Sequence, residues 1–281
     1  MKKRLGIFLC AWLVASVALQ VMCGNGHTSF LSFPVNVAAL AAITGGLYVA
    51  QKERPHSPFL HMLASTSMSI CVLILFVAAC LILGLVPQRE GDSSMLHDFT
   101  SSIIFQSVVL LLMAHLTLVT LRYRKHGRRR WRFLLNHIGL LTALSGLCLG
   151  AADTHSWRAV IPIGESTDRA YDSRGNAHPL DYTFTLSGFS MSCYENGTPS
   201  DFSAEGTVDG TPAHISVNHP WQATWKDDIY LVGYDTKAGA RSSYCVMEFV
   251  RQPWKHVILA GIIMLAAGAA LMFWNGQKES L

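Results

Sequence analysis

Three histidines fall within long apolar runs of the chain: His61, His115 and His137. An ionisable side chain in hydrocarbon is costly, so each needs a partner or a ligand. A neutral imidazole can supply that by binding a metal such as iron through one ring nitrogen. His137 lies about one turn inside its run and is followed by Gly139, Gly146 and Gly150. Small residues let another helix, or a flat macrocycle, come close to the backbone. His61 stands near the start of its run, where an ordinary snorkelling residue is the plainer account. His115 stands in the last two turns of its run, where a hydrogen bond to a neighbouring helix is the plainer account. A fourth histidine, in Asn218-His219-Pro220, follows an alternating segment; proline biases the residue before it to extended geometry, so this reads as a turn or strand end.

The cysteines form a second chemical set. Cys10, Cys71 and Cys80 sit in apolar runs and read as small buried hydrophobes. Cys23 and Cys148 lie near the ends of such runs, but the chain has no C-x-x-C pair, which weakens a redox reading. Cys193 and Cys245 lie in a more polar region; a bridge between them is open, because spacing alone does not give its geometry.

What must position these groups is a set of helices. The chain is 51% hydrophobic and 14% charged, against about 25% charged in an average globular domain. Six runs are candidates to span a bilayer: Leu5–Cys23, Pro34–Ala50, Phe59–Val86, Ser101–Leu121, Phe133–Ala151 and Val257–Trp274. The second is the shortest and carries Asn36 and a Gly45-Gly46 pair. Backbone groups in lipid must be satisfied internally, so helices are expected. The basic start followed by an apolar run is expected to be a retained anchor helix, since no clear cleavage site precedes Gly24.

Basic residues alternate between the connecting segments. Lys2, Lys3 and Arg4 precede the first run, and Lys52 and Arg54 follow the second. Seven of the eleven residues from Arg122 to Arg132 are Lys or Arg. The positive-inside rule then predicts both termini in the cytoplasm and Ala152–Lys255 outside. The basic loop is expected to anchor at lipid headgroups. The outer segment carries eight Lys/Arg against thirteen Asp/Glu, which argues against nucleic acid as a partner.

Within that segment the hydrophobic period changes to two. Tyr182, Phe184 and Leu186 alternate with polar residues, as do Ile215 and Val217, then Tyr230, Val232 and Tyr234, then Cys245, Met247 and Phe249. Turn chemistry separates them, at Ser173–Asn176, Glu195–Gly197, Val208–Gly210 and Lys237–Gly239. Short antiparallel strands forming a small sandwich or barrel are expected, with Phe184, Leu186, Ile215, Val217, Tyr230 and Val232 in the core. The predicted fold class is therefore an α-helical polytopic membrane protein of about six transmembrane helices with one extracytoplasmic antiparallel β-rich domain. Its predicted organisation is 1–151 as a five-helix region, 152–254 as the β-rich domain, and 255–281 as a last helix and cytoplasmic tail.

The stretch Asn136–Trp274 resembles the ResB family of system II cytochrome c biogenesis. Four ordered blocks carry the resemblance: His137-Ile138-Gly139-Leu140; Tyr182–Phe189 leading to Tyr194-Glu195-Asn196-Gly197; Ile215-Ser216-Val217-Asn218-His219-Pro220; and Val250-Arg251-Gln252-Pro253-Trp254 entering a helix with Gly261 and Gly268. There are departures: a short outer domain, five runs before it rather than three, and Gln252 where the family usually has Asp. The tryptophan-rich motif of the CcsA partner is absent; Trp221 and Trp225 before Asp227 only echo it.

The resemblance implies a bacterial inner-membrane protein with a periplasmic domain. It implies a heme-handling, non-catalytic subunit of a heme lyase, acting with a separate CcsA-type partner on apocytochrome c. Heme b in transit would be held by His137 as an axial ligand, with Gly139, His61 and His115 as further cofactor-side candidates. Arg132 is a candidate for attracting propionates. Tyr194, Asn196, Asn218 and His219 are candidates for partner contact. The competing expectation is a membrane thiol-redox protein built on Cys193, Cys245, Cys23 and Cys148.

Overall fold

A computed structural model describes residues 2–25, 32–89, 94–123, 128–196 and 198–276. Arg124 and Lys125 of the basic loop, and Gly197 of the second family block, lie outside the described residues. The chain divides into two compact units: Met1–Ala152 together with His256–Leu281, and Asp153–Lys255.

The first unit is helical. It comprises α1 (Lys2–Cys23), α2 (Val35–Glu53), α3 (Pro58–Leu63), α4 (Thr66–Leu85), α5 (Ile103–Arg122), α6 (Arg128–Leu149) and α7 (Lys255–Gly276). Among the described residues five helices, α1, α4, α5, α6 and α7, are long and apolar enough to cross a membrane. Helix α2 carries polar residues toward both ends, Asn36 near one and Gln51-Lys52-Glu53 at the other. Asn36 is fully buried, and its Nδ2 donates to the Leu149 carbonyl at 3.0 Å, so it closes one of the orphan carbonyls at the end of α6. Helix α5 is the centre of the unit: it packs against α1, α2, α4 and α6, and half of its apolar window is buried. Ser102 caps it, accepting from the Phe105 N–H at 3.1 Å.

The run Phe59–Val86, expected as one span, is two helices. Ser65 divides them: its Oγ donates to the Met62 carbonyl at 2.7 Å and accepts from the Met68 N–H at 3.2 Å. One hydroxyl thus closes α3 and caps α4. His61 consequently sits exposed on the short α3 and outside the five apolar helices.

The second unit is one antiparallel sheet of eight strands. They are β1 (His155–Pro162), β2 (Ser166–Tyr171), β3 (Ala177–Cys193), β4 (Pro199–Val208), β5 (Thr211–Ser216), β6 (Trp221–Gln222), β7 (Asp227–Tyr234) and β8 (Tyr244–Arg251). Their order is β5-β4-β3-β2-β1-β8-β7-β6. β5 also meets β6 and β7, so the sheet curls until its two ends come together around one core, as a small barrel. The β4–β5 turn shows the local cause of one hairpin. Asp209 at φ 47° and Gly210 at φ 82° both take the left-handed region that a two-residue hairpin needs.

The inner face carries Trp157, Ile161, Tyr182, Phe184, Leu186, Ile215, Ile229, Leu231, Cys245, Met247 and Phe249. Alternation placed Phe184, Leu186 and Ile215 correctly. It failed for Tyr230 and Val232: in β7 the inward residues are Asp227, Ile229 and Leu231, while Tyr230 is partly covered and Val232 is 40% exposed. Both parities of β7 are apolar, and the strand's choice reverses every side chain at once. Val217 likewise lies past the end of β5, in the turn closed by Ser216 and His219, and is only partly covered.

One end of the barrel is closed by charge. Asp227 is 2% exposed, and Arg251 holds it with Nε donating to Oδ1 at 2.7 Å and Nη2 donating to Oδ2 at 3.2 Å. The same Nη2 reaches Asp181 at 3.0 Å, and Lys226 reaches Asp181 at 2.9 Å. The guanidinium lies over Trp157, 5.2 Å from the ring centroid. Thr224 Oγ1 donates to Asp227 Oδ2 at 3.0 Å. Lys255 pairs with Asp228 at 2.8 Å, and the Trp254 indole donates to Asp153 at 2.7 Å. Burial, then the nearby Asp227 carboxylate, pushes the Tyr182 phenol well above its ordinary range.

Candidate functional site

His137 lies on α6 with its ring half-buried. Its Nδ1 is 3.0 Å from the carbonyl of Phe133, one turn earlier. A carbonyl only accepts, so Nδ1 carries the hydrogen and Nε2 of the neutral ring keeps a lone pair. No described residue gives Nε2 a hydrogen-bond partner. The imidazole stacks on Phe133 at 3.8 Å between centroids and 21° between planes. Phe133 in turn stacks on Tyr123 at 3.8 Å and 7°. Tyr123 is the C-cap of α5, so the end of one helix braces an imidazole on the next. Sequence reading missed both aromatics; the only available signal was a ring four residues before the histidine.

The glycines after His137 serve a helix. A Cβ on Gly139 would lie 2.6 Å from the Leu265 nitrogen and 2.8 Å from the Gly261 carbonyl oxygen. A Cβ on Gly146 would lie 2.6 Å from Ile258 Cγ1. From the other side, Gly261 faces Gly139 and Ala143, and Gly268 faces Asn136. This is a backbone-to-backbone seam between α6 and α7. The face of α6 that carries Gly139 is therefore occupied by α7. Arg132 is 8% exposed, and Nη1 is 3.5 Å from the Leu271 carbonyl in the later part of α7.

His115 has no ring nitrogen to spare. Nδ1 is 2.6 Å from the Leu63 carbonyl, and Nε2 is 2.8 Å from Ser69 Oγ. It ties α5 to α3 and α4 from a buried position, which is the hydrogen-bonding account of an intramembrane histidine. His61 is exposed. Of the three, His137 combines a stacked ring with one ring nitrogen hydrogen-bonded to backbone.

The candidate contact residues on the barrel are turn residues. Tyr194 is 62% exposed. Asn196 Oδ1 accepts from the Thr198 backbone N–H at 3.1 Å and from its hydroxyl at 2.6 Å. Asn218 takes φ 61° in the turn where the His219 N–H donates to the Ser216 carbonyl at 3.0 Å. His219 is exposed. Cys193 and Cys245 are both free thiols. Cys193 is exposed at the end of β3, whereas Cys245 points into the barrel core, where burial pushes its thiol up to about 11. An inward-facing cysteine on β8 does not meet an exposed strand end, so the question that spacing left open resolves to two separate thiols.

Fold and site together define a chain of apolar helices with one antiparallel β unit and a braced histidine on the helix before it. Residues 120–248 match the model of the ResB-like family, consistent with a ResB-family protein. The matched segment includes His137 and ends within β8, before the Val250–Trp254 block. No curated protein matches the chain. Among solved structures the chain is similar to one titled "Cytochrome c Heme Lyase CcmF", at 12% identity and a TM-score of 0.40, over 95% of this chain and 44% of that one. The chain thus spans less than half the length of that structure.

Proposed function

We propose that this chain handles heme during cytochrome c assembly, as the ResB-type subunit of a system II heme lyase working with a CcsA-type partner. One observation carries the reading. His137 has Nδ1–H committed to a backbone carbonyl and Nε2 left with its lone pair. That is the arrangement of an iron-binding histidine, whose second nitrogen is fixed by a hydrogen bond. It occurs on the helix that the family match covers. The residues present fit one axial position on heme in transit; with α7 against Gly139 and both His115 nitrogens engaged, the partner supplies the other.

In this reading the chain performs no bond chemistry. His137 holds the iron, and Arg132 and the basic loop favour anionic propionates near the same end of α6. The barrel presents Tyr194, Asn196, Asn218 and His219 at exposed turns to apocytochrome c. The protein sits in the inner membrane with both termini in the cytoplasm, six spans including α2, and the barrel in the periplasm. The thiol-redox alternative draws little from the site, since one of its cysteines is a core residue with its thiol held protonated.

Two experiments test this. Reporter fusions at Gly127 and Gly210 should read cytoplasmic and periplasmic respectively; the same side for both would end the topology. His137→Ala should lower the heme retained by the complex with its partner, and cytochrome c maturation with it. His137→Gly with added imidazole should recover part of the Soret absorbance, because free imidazole can refill a vacated axial site. Normal heme content and maturation in His137→Ala, at normal protein level, would make His137 a structural histidine.

A further inference from the structure

We infer that Phe133 and Tyr123 are positioning residues for His137, holding its imidazole in one tautomer and one plane so that Nε2 alone is offered to a ligand. This rests on the heme-handling reading and adds to it how the ligand is prepared. Two independent constraints act on the ring. The Phe133 carbonyl takes the Nδ1 hydrogen at 3.0 Å, which fixes the tautomer. The Phe133 ring lies 3.8 Å from the imidazole at 21°, which fixes the plane. A hydrogen bond alone permits the ring to swing about it; a stacked neighbour does not.

The brace extends beyond α6. Tyr123 stacks on the far face of Phe133 at 3.8 Å and 7°, and its backbone N–H closes α5 on Thr120. The orientation of His137 therefore depends on α5 as well as on its own helix. His115 and His61 lack this arrangement: one has both nitrogens engaged, and the other is exposed on α3. An imidazole held ready binds with the full affinity of its competent state, while one that samples other orientations loses affinity by the competent fraction. Aromatic stacking contributes on the order of 0.5–1.5 kcal/mol, so removing it should weaken binding roughly two- to tenfold.

The test uses the full-length chain in detergent with added hemin as the probe. Phe133→Leu keeps the backbone carbonyl and removes the stack; Phe133→Tyr keeps both. The expected result for Phe133→Leu is hemin binding weakened roughly two- to tenfold. Its high-spin ferric electron paramagnetic resonance signal, that of iron with one imidazole ligand, should also broaden as the ring plane spreads. Phe133→Tyr should restore both. Tyr123→Leu is the second variant, should Phe133→Leu fail to fold, and is expected to shift both readouts the same way by a smaller factor. His137→Ala is the control for the underlying reading. If it loses hemin while Phe133→Leu and Tyr123→Leu match the parent in affinity and linewidth, the brace is overturned and His137 stands as ligand. If His137→Ala binds hemin like the parent, both are overturned.

Discussion

Replacing Arg251 by methionine should destabilise the barrel by about 3 to 5 kcal/mol, the cost of leaving one member of a buried ion pair alone. Asp227 is 2% exposed, and two of its hydrogen bonds come from Arg251. Without the guanidinium, Thr224 Oγ1 is the hydrogen-bond donor left to that carboxylate among the described residues. The exposed partner matters less: Asp181 keeps Lys226 and water. The measurement is unfolding of the barrel in the detergent-solubilised full chain, followed by near-ultraviolet circular dichroism of its tryptophans and tyrosines.

The pH dependence supplies a second check. In the parent, Lys226 and then Arg251 hold the Asp181 carboxyl below its ordinary 3.8. A group depressed on folding adds stability above its unfolded pKa and loses it as pH falls through the folded value, so the parent should weaken on acidification below about 4. Arg251→Met removes one of the two cations beside Asp181 and leaves Lys226. The variant should therefore lose less further stability than the parent over the same acidification. A loss in Arg251→Met as steep as the parent's would mean that Arg251 does not help to hold the Asp181 carboxylate.

How much of this was legible in the sequence depended on whether one answer was available locally. In β3, apolar residues occupy a single parity at Tyr182, Phe184 and Leu186, so alternation gave the inner face. In β7 Ile229, Tyr230, Leu231 and Val232 are all apolar enough, and the buried anchor is Asp227, whose partner Arg251 lies 24 residues away on the neighbouring strand. No periodicity can see that pair. Ser65 was invisible for a related reason. A serine within an apolar run usually bonds back to its own helix; here it also caps the next one. His137 stood out because a titratable side chain in an apolar run needs an explanation. Gly139 announced a close approach, but whether by helix or ligand depended on α7, more than a hundred residues on. The brace on His137 needed Tyr123 from the preceding helix, which sequence neighbours alone do not place.

The seam between α6 and α7 gives one chemical change that should act in opposite directions at two sites. Gly→Ala in a helix interior ordinarily stabilises by about 1 kcal/mol, because alanine has the higher propensity. At Gly46 on α2 a new Cβ meets nothing within 4 Å, so Gly46→Ala should be neutral or mildly stabilising. At Gly261 the new Cβ would meet the backbone of Ala143, with the Gly139 carbonyl oxygen 2.8 Å away. Backbone atoms cannot rotate aside as a side-chain tip can, so the two helices must separate. Overpacking of this kind costs about 1 to 3 kcal/mol, which outweighs the propensity gain over most of that range. Gly139→Ala should behave like Gly261→Ala, since each Cβ enters the same seam from opposite sides. Thermal unfolding of the full chain in one detergent should therefore rank Gly46→Ala at or above the parent, with both seam variants below it. Because both seam changes force the same separation, the double variant should cost less than the sum of the singles. His137 sits two residues from Gly139 on α6, so under the heme-handling reading the seam variants should also retain less heme than the parent, whereas Gly46→Ala should not. Seam variants as stable as the parent would mean that α6 and α7 do not pack through these glycines.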